Sequence, residues 1–277
     1  MTKPFIKWVG GKRRLLGRLK ELMPESFGDY YEPMVGGGAL FFGQDPHPHR
    51  EYVLADSNSE LINTYKMIQC RPEELIADLT LHAEAYNSLE TDEERRAKYY
   101  DCRSWLPSEL RNITAAARFI FLNKTGFNGM YRVNQSGGFN VPWGKRARFN
   151  FDAAAIHECS QRLQLVDILN EDYAEIVHFA REGDFAYIDP PYIPISPTSK
   201  FTEYQPGGFG LEEQERLAQT FRDLDARGVK VMLSNSHSPL VGELYAGYDI
   251  QAVYTVHSVA ANRSARGRIA EVVVRNY

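Results

Sequence analysis

The stretch richest in chemistry is Phe185-Ala186-Tyr187-Ile188-Asp189-Pro190-Pro191-Tyr192. An apolar run delivers one carboxylate, and the two prolines that follow stiffen the chain and remove two N–H donors. What remains is a set of acceptors, the Asp189 carboxylate and the Pro190 carbonyl, beside the aromatic ring of Tyr192. Such a set suits an exocyclic amine, which has two N–H bonds to donate and belongs to a flat ring that can stack. Asp-Pro-Pro by itself also describes a rigid surface turn. Its place directly after an apolar strand, where α/β sheets bind ligands, favours chemistry.

Two further motifs carry binding chemistry, and the first, paired with Asp56, favours a nucleoside-containing cofactor. In Tyr31-Glu32-Pro33-Met34-Val35-Gly36-Gly37-Gly38 a strand enters a three-glycine turn, where backbone can approach a ligand closely. It has neither the GxGxxG spacing nor the Gly-Lys-Ser/Thr of a phosphate loop. Asp56 ends the next apolar run, at the distance where nucleoside-binding folds place an acceptor for ribose hydroxyls. The same residue reads as a helix N-cap in Asp56-Ser57-Asn58-Ser59-Glu60. In Phe5-Ile6-Lys7-Trp8-Val9-Gly10-Gly11-Lys12, the glycine pair opening a basic helix offers an anion or carboxylate pocket with Lys12 as counter-charge. Trp8 reads equally well as core.

The elements that must position these residues alternate in kind. Apolar runs predict strands at Tyr30 to Pro33, Tyr52 to Asp56, Leu163 to Leu169, Phe185 to Asp189 and Val229 to Ser234. Helical periodicity appears at Lys12 to Leu22, Leu61 to Gln69, Ala153 to Leu163, Tyr173 to Arg181 and Leu211 to Arg227, the last stopped by Gly228. This alternation predicts a mostly parallel sheet covered on both faces, an α/β fold. Tyr248 to Val256 and Ile269 to Val274 predict a final β pair. From about residue 64 to residue 150 the rhythm breaks into charged and then apolar helices and a Gly/Asn-rich segment, which predicts a largely helical insertion.

Taken in order, Phe-x-Lys-Trp-x-Gly-Gly-Lys, Glu-Pro-x-Val-Gly-Gly-Gly, Asn-Gly-Met-Tyr-Arg-Val-Asn followed by Phe-Asn-Val-Pro, and Asp-Pro-Pro-Tyr resemble the Dam-type DNA adenine-N6 methyltransferases, the alpha group of the D12 class. The resemblance runs from Phe5 to the C-terminal strand. It implies a Rossmann-like methyltransferase sheet with helices on both faces, residues 1–63 and 151–277 forming the catalytic domain and residues 64–150 a target-recognition insertion. It implies that Trp8, Lys12, Pro33, the backbone of Gly36, Gly37 and Gly38, and Asp56 hold S-adenosyl-L-methionine, with Asp56 on the ribose, Lys12 toward the carboxylate end and Asp172 on the cofactor's adenine amine. Asp189, Pro190, Pro191 and Tyr192 would form the catalytic motif, Asp189 also bordering the cofactor. Asp189 and Pro190 would hold the N6 of a flipped adenine while Tyr192 stacks on it. Lys7, Asn128, Met130, Arg132 and Pro142 occupy positions the family uses to read DNA, joined by Lys145 and Arg146. No metal is implied.

Charge supports a DNA partner only when read locally. The formal net charge is −4, from 32 Lys+Arg against 36 Asp+Glu in 277 residues, which taken whole argues against a polyanion. Yet seven basic residues and no acid occur in residues 1–20, seven more from Arg111 to Arg148, and three from His257 to Arg268, again without an acid. Solvated helix faces explain many charge runs; three acid-free islands predict a shared polyanion site, for which the resemblance implies double-stranded DNA. Cys70, Cys102 and Cys159 form no CxxC pair, so neither zinc nor a disulfide framework is expected, and the low count suits a reducing cytoplasm of a bacterium or phage-infected cell. No apolar stretch is long enough for a membrane span. A monomer is expected.

Rival activities are weighed by residue type. Cytosine-C5 methylation needs a cysteine nucleophile, usually after proline, and the three cysteines follow Gln69, Asp101 and Glu158. Cytosine-N4 methylation also targets an exocyclic amine and stays open, although that family usually has Ser in place of the leading Asp. A catalytically silent DNA-binding module would not need Asp56 and Asp189. The block from Asn128 to Asn134 is similar to that of methylases acting on GATC, and Arg132 is suited to bidentate reading of guanine. Arg146 stands where the enteric enzymes have a tyrosine and is suited to phosphate.

Overall fold

The computed structural model describes residues 2–192, 209–256 and 268–277. Its strands are β1 (Tyr30–Glu32), β2 (Tyr52–Ala55), β3 (Val166–Leu169), β4 (Phe185–Ile188), β5 (Lys230–Ser236), β6 (Asp249–Val256) and β7 (Arg268–Arg275). They form a seven-stranded sheet in the order β3-β2-β1-β4-β5-β7-β6. The first five are parallel, and β7 runs antiparallel to both β5 and β6. Strand order reverses between β1 and β4, the kind of switch point outside which α/β sheets bind ligands.

Helices cover both faces: α1 (Leu16–Leu22), α2 (Ala39–Gly43), α3 (Ser59–Cys70), α4 (Pro72–Asn87), α5 (Asp92–Ser104), α6 (Asn112–Thr125), α7 (Ala153–Leu163), α8 (Tyr173–Val177), α9 (Leu211–Ala226) and α10 (Pro239–Leu244). Strand alternation explains the two cores. Phe185 and Tyr187 pack with α1, α2, α3 and α7, while Ala186 and Ile188 pack with α8 and α9. In α9, Leu217, Phe221 and Leu224 supply the buried stripe, and Gly228, at φ +75°, ends it.

Helices α4, α5 and α6, which lie between β2 and β3 in the chain, are continuous with the first core. α6 is buried on almost every side, packed among α3, α4 and α5, which accounts for its nearly uniform apolar sequence. Within it, Arg118 is fully buried: Nη1 donates to Glu60 Oε2 at 2.8 Å, and Nε and Nη2 donate to the carbonyls of Cys102 and Arg103. The expected start of the insertion at 64 falls inside α3, which continues to Cys70 because Leu61, Ile62, Tyr65 and Ile68 face the core. Likewise the strand expected from Leu163 begins only at Val166, since Leu163 completes the buried face of α7. The helix expected to reach Arg181 stops at Val177; the Asp184 carboxylate there accepts from Arg181 N and closes a turn into β4.

Among the described residues, no helix is long and apolar enough to cross a membrane, and no three His, Cys, Asp or Glu gather as a metal-binding group.

Candidate active site

The parallel strands deliver their C-terminal residues to one edge. Along it lie Asp172 after β3, Asp56 after β2, the glycine turn after β1 and Asp189 after β4. Four segments distant in sequence thus become one row, as strand order requires.

The glycine turn is tied to β2. Asp56 Oδ2 accepts from Gly36 N at 3.0 Å and Oδ1 from Asn58 N at 2.9 Å, while Val35 N donates to Ala55 O. Burial raises the Asp56 pKa, and these two N–H bonds oppose the rise. Of its two readings, Asp56 is not the helix cap: Asn58 caps α3, accepting from Leu61 N at 3.1 Å. The glycines have a reason other than open space for a ligand. Gly36 and Gly38 have φ of +47° and +64°, and a Cβ on Gly36 would stand 2.7 Å from the Trp8 indole, one on Gly38 2.6 Å from the Tyr65 hydroxyl. Trp8 and Tyr65 are what approach this backbone. Pro33 is buried at the end of β1.

Trp8 is half-buried and continues the stack outward, with its ring 5.8 Å from Tyr131 and 6.4 Å from Phe119 at shallow interplanar angles. It packs, partly buried, against the first core. Tyr131 OH donates to Glu60 Oε1, the carboxylate that also holds Arg118. A continuous set of contacts therefore joins the glycine turn to the insertion.

The Asp-Pro-Pro-Tyr segment is held on three sides. Lys12 is buried, and its Nζ lies 2.7 Å from Asp189 Oδ1 and donates to Gly10 O at 2.7 Å. Its ammonium is thus engaged with Asp189 rather than left at the helix start for an anion. The same Nζ stands 4.6 Å from the Tyr192 ring centre and 3.9 Å from Glu271 Oε2. Tyr192 OH donates to Glu271, and Pro191 O accepts from Gln214 Nε2 at 2.9 Å. Burial raises the Asp189 pKa, opposed by Lys12 and reinforced by Glu271. Burial and the charges of Asp189 and Glu271 likewise raise that of Tyr192, which keeps its hydroxyl proton for donation. Glu271 carries no recognisable motif. The one signal was a lone acid in the apolar run Ile269-Ala270-Glu271-Val272-Val273.

At the other end of the row, Asp172 caps α8 by accepting from Ala174 N, and both its oxygens face the Arg216 guanidinium. Partial burial works to raise its pKa; Arg216 outweighs this and holds it below its ordinary value.

Of the residues expected to read DNA, Asn128 and Met130 flank Gly129, which lies against Lys7. Asn123, buried in α6, accepts from Lys7 N and donates to the carbonyls of Lys7 and Gly129. The Lys7 stem lies so close over Gly129 that a Cβ there would stand 3.0 Å away. Asn128 is exposed at φ +55°, Met130 is half-buried, and Phe127 beside them is half exposed. Arg132 Nε donates to Asn140 Oδ1 at 2.6 Å and Nη2 to Asn140 O, so one edge of its fork is already engaged. Pro142 is exposed, and its carbonyl accepts from Phe127 N. Lys145 and Arg146 have exposed side chains on a segment anchored by Tyr86 OH to Arg146 O. Neither Asn123 nor Asn140 was singled out from sequence, because each acts on partners that only folding brings near. Arg263 and Arg266 of the third basic island lie outside the described residues.

A largely parallel sheet with carboxylates and a glycine turn along one edge, and basic helical residues beside it, places the chain in the class of α/β proteins whose ligand site lies at the strand-order switch point. The family model for D12 class N6 adenine-specific DNA methyltransferases matches residues 8–264, and the chain belongs to that family. It is 42% identical to the type II methyltransferase M1.LlaDCHI of Lactococcus lactis subsp. cremoris, over 99% of this chain and 95% of that protein. It is 36% identical to the type II methyltransferase M.MjaIII of Methanocaldococcus jannaschii, over 100% and 99%. The DNA adenine methylase of Escherichia coli K12 is 32% identical, over 98% and 94%. The adenine-specific reading is thereby favoured over cytosine-N4 methylation and over a silent binding module.

Proposed function

We propose that this adenine-N6 DNA methyltransferase uses S-adenosyl-L-methionine, acts on double-stranded DNA as a monomer, and works in the cytoplasm. The observation that carries the reading is the placement of Asp189, Pro190 and Tyr192 at the end of β4, beside the glycine turn on β1.

The donor set fits a nucleoside cofactor. A carboxylate offers about four lone-pair sites, and Asp56 commits two to Gly36 and Asn58, leaving acceptors for ribose hydroxyls. Asp172 would accept from the adenine amine, sharing its oxygens with Arg216. Trp8, Pro33 and the backbone of Gly36, Gly37 and Gly38 would line the site. When bound, the cofactor supplies a methyl group on a sulfonium, already a good leaving group. This chain's residues then need to position the acceptor more than to deprotonate it.

The target adenine must leave the helix, since its amine is out of reach inside a stacked pair. Asp189 and the Pro190 carbonyl would accept its two N–H bonds, drawing electron density onto N6 and turning its lone pair outward. Pro191, fixed through Gln214, holds the segment, and Tyr192 would stack on the extruded ring. Residues 64–150 would form the recognition part, with Lys7, Asn128, Met130 and Arg132 reading bases and Pro142, Lys145 and Arg146 lying along the backbone. The block shared with GATC methylases supports GATC as the site. The type II names among the relatives support service in a restriction-modification system.

Radiolabelled S-adenosyl-L-methionine and plasmid DNA test this, followed by mapping of modified bases. The expected product is N6-methyladenine within GATC, and Asp189→Asn should lower the rate about a hundredfold or more with the fold retained. Label on cytosine, or an Asp189→Asn variant with wild-type turnover, would overturn the assignment.

A further inference from the structure

A lone carboxylate reaches the Asp-Pro-Pro-Tyr segment from β7, the strand between β5 and β6. Antiparallel pairing of β7 with β5 sets Glu271 opposite Ser236, at the carboxyl edge of β5. Alternation along β7 points Glu271 to the same face as Val273, which belongs to the same buried cluster as Phe5 and Leu15 of the N-terminal segment. There it accepts from Tyr192 OH and stands 3.9 Å from the Lys12 ammonium, which touches Asp189 at 2.7 Å. Lys12, Asp189 and Glu271 thus form one cluster with one positive and two negative groups. Without Glu271, Lys12 would cancel the charge of Asp189.

That balance bears on the reaction. When N6 takes the methyl group, its lone pair forms the new C–N bond, the pair from the broken S–C bond leaves on sulfur, and N6 is positive until its proton passes to solvent. A neutral Lys12–Asp189 pair offers little to such a charge; a cluster with one negative charge to spare does. We propose that Glu271 is a positioning residue of the methyl transfer, fixing the Tyr192 ring through its hydroxyl and, by sharing Lys12, leaving Asp189 an effective negative charge facing N6. This rests on Asp189 being the acceptor of the target amine.

Glu271→Gln keeps an acceptor for Tyr192 and removes the charge; Glu271→Ala removes both. Single-turnover methylation, equilibrium binding of cofactor and duplex, and the fluorescence of 2-aminopurine at the target position are measured for each. Both variants should bind cofactor and duplex within about twofold of wild type while transfer falls about tenfold or more. The 2-aminopurine signal should match wild type in Glu271→Gln and change about twofold in Glu271→Ala, where the ring it stacks on is no longer fixed. Glu271→Asp, which keeps the charge at shorter reach, should recover part of the rate and decides the charge role should Glu271→Gln fail to fold. A Glu271→Gln variant with wild-type transfer, or one whose loss lies wholly in binding, overturns the charge role. An unchanged signal in Glu271→Ala overturns the positioning of Tyr192. A wild-type chain that transfers no methyl group would instead sink the reading of Asp189, a distinguishable failure.

Discussion

Glu32 is the residue whose environment departs furthest from its sequence appearance. It reads as the polar start of the glycine motif, yet it is buried, accepting from Tyr30 OH at 2.7 Å and from Phe41 N at 3.2 Å. Burial, with the charge of Asp189 in support, pushes its pKa from 4.5 to about 8 against the pull of those two bonds. A carboxyl whose folded pKa is raised keeps its proton where the unfolded chain has lost it. Stability therefore declines from about pH 4.5 to about pH 8 and levels off above, by a few kcal/mol. Glu32→Gln keeps an oxygen acceptor and cannot titrate, so urea unfolding at about pH 5 and pH 9 should show that decline flattened. A wild-type decline retained in the variant would assign it to another group. Motif residues such as Asp189, Asp56 and Gly36 were legible because each sits in a contiguous pattern. Glu32's burial and Glu271's role were not, since nothing within a few residues of either reports what packs on it.

At the scale of elements, the glycine turn and α6 carry the site. Gly36 combines a left-handed φ of +47° with Trp8 in the space a Cβ would fill. Gly36→Ala should cost about 1–2 kcal/mol for the backbone alone, and displacing Trp8 should weaken equilibrium binding of S-adenosyl-L-methionine; calorimetry of both quantities checks it. The buried Arg118–Glu60 pair fastens α6 to α3, and the same Glu60 holds Tyr131 beneath Trp8. Arg118→Met strands a buried carboxylate and should destabilise by about 3 kcal/mol, read from chemical unfolding. A loss below 1 kcal/mol or so would mean that Glu60 escapes to water. Periodicity located α9 well because it has a regular buried stripe, whereas α6 showed only as a nearly unbroken apolar run. Local pattern misplaced the ends of α3 and α8 and the start of β3, where core packing and a side-chain turn outweigh local preference.

For the whole molecule, charge distribution outweighs net charge. Two acid-free islands converge: Lys7 of the first lies against Gly129 of the second, held by Asn123 across 116 residues of sequence. Affinity for duplex DNA should therefore fall linearly with salt on logarithmic axes, about tenfold or more between about 50 and 200 mM, despite the net −4. A flat salt response, measured by fluorescence anisotropy, would count against a phosphate-facing surface. By itself the sequence determined the alternation of strands and helices, the placing of Asp189 at the end of a strand, the turn at Gly36 to Gly38, and the family, because each is written in neighbouring residues or in regular spacing. Only the tertiary structure decided that Lys12 pairs with Asp189, that Asn140 engages Arg132, and that Glu271 reaches Tyr192 from an antiparallel strand near the chain's end. Those contacts depend on strand order and register, which no local pattern encodes.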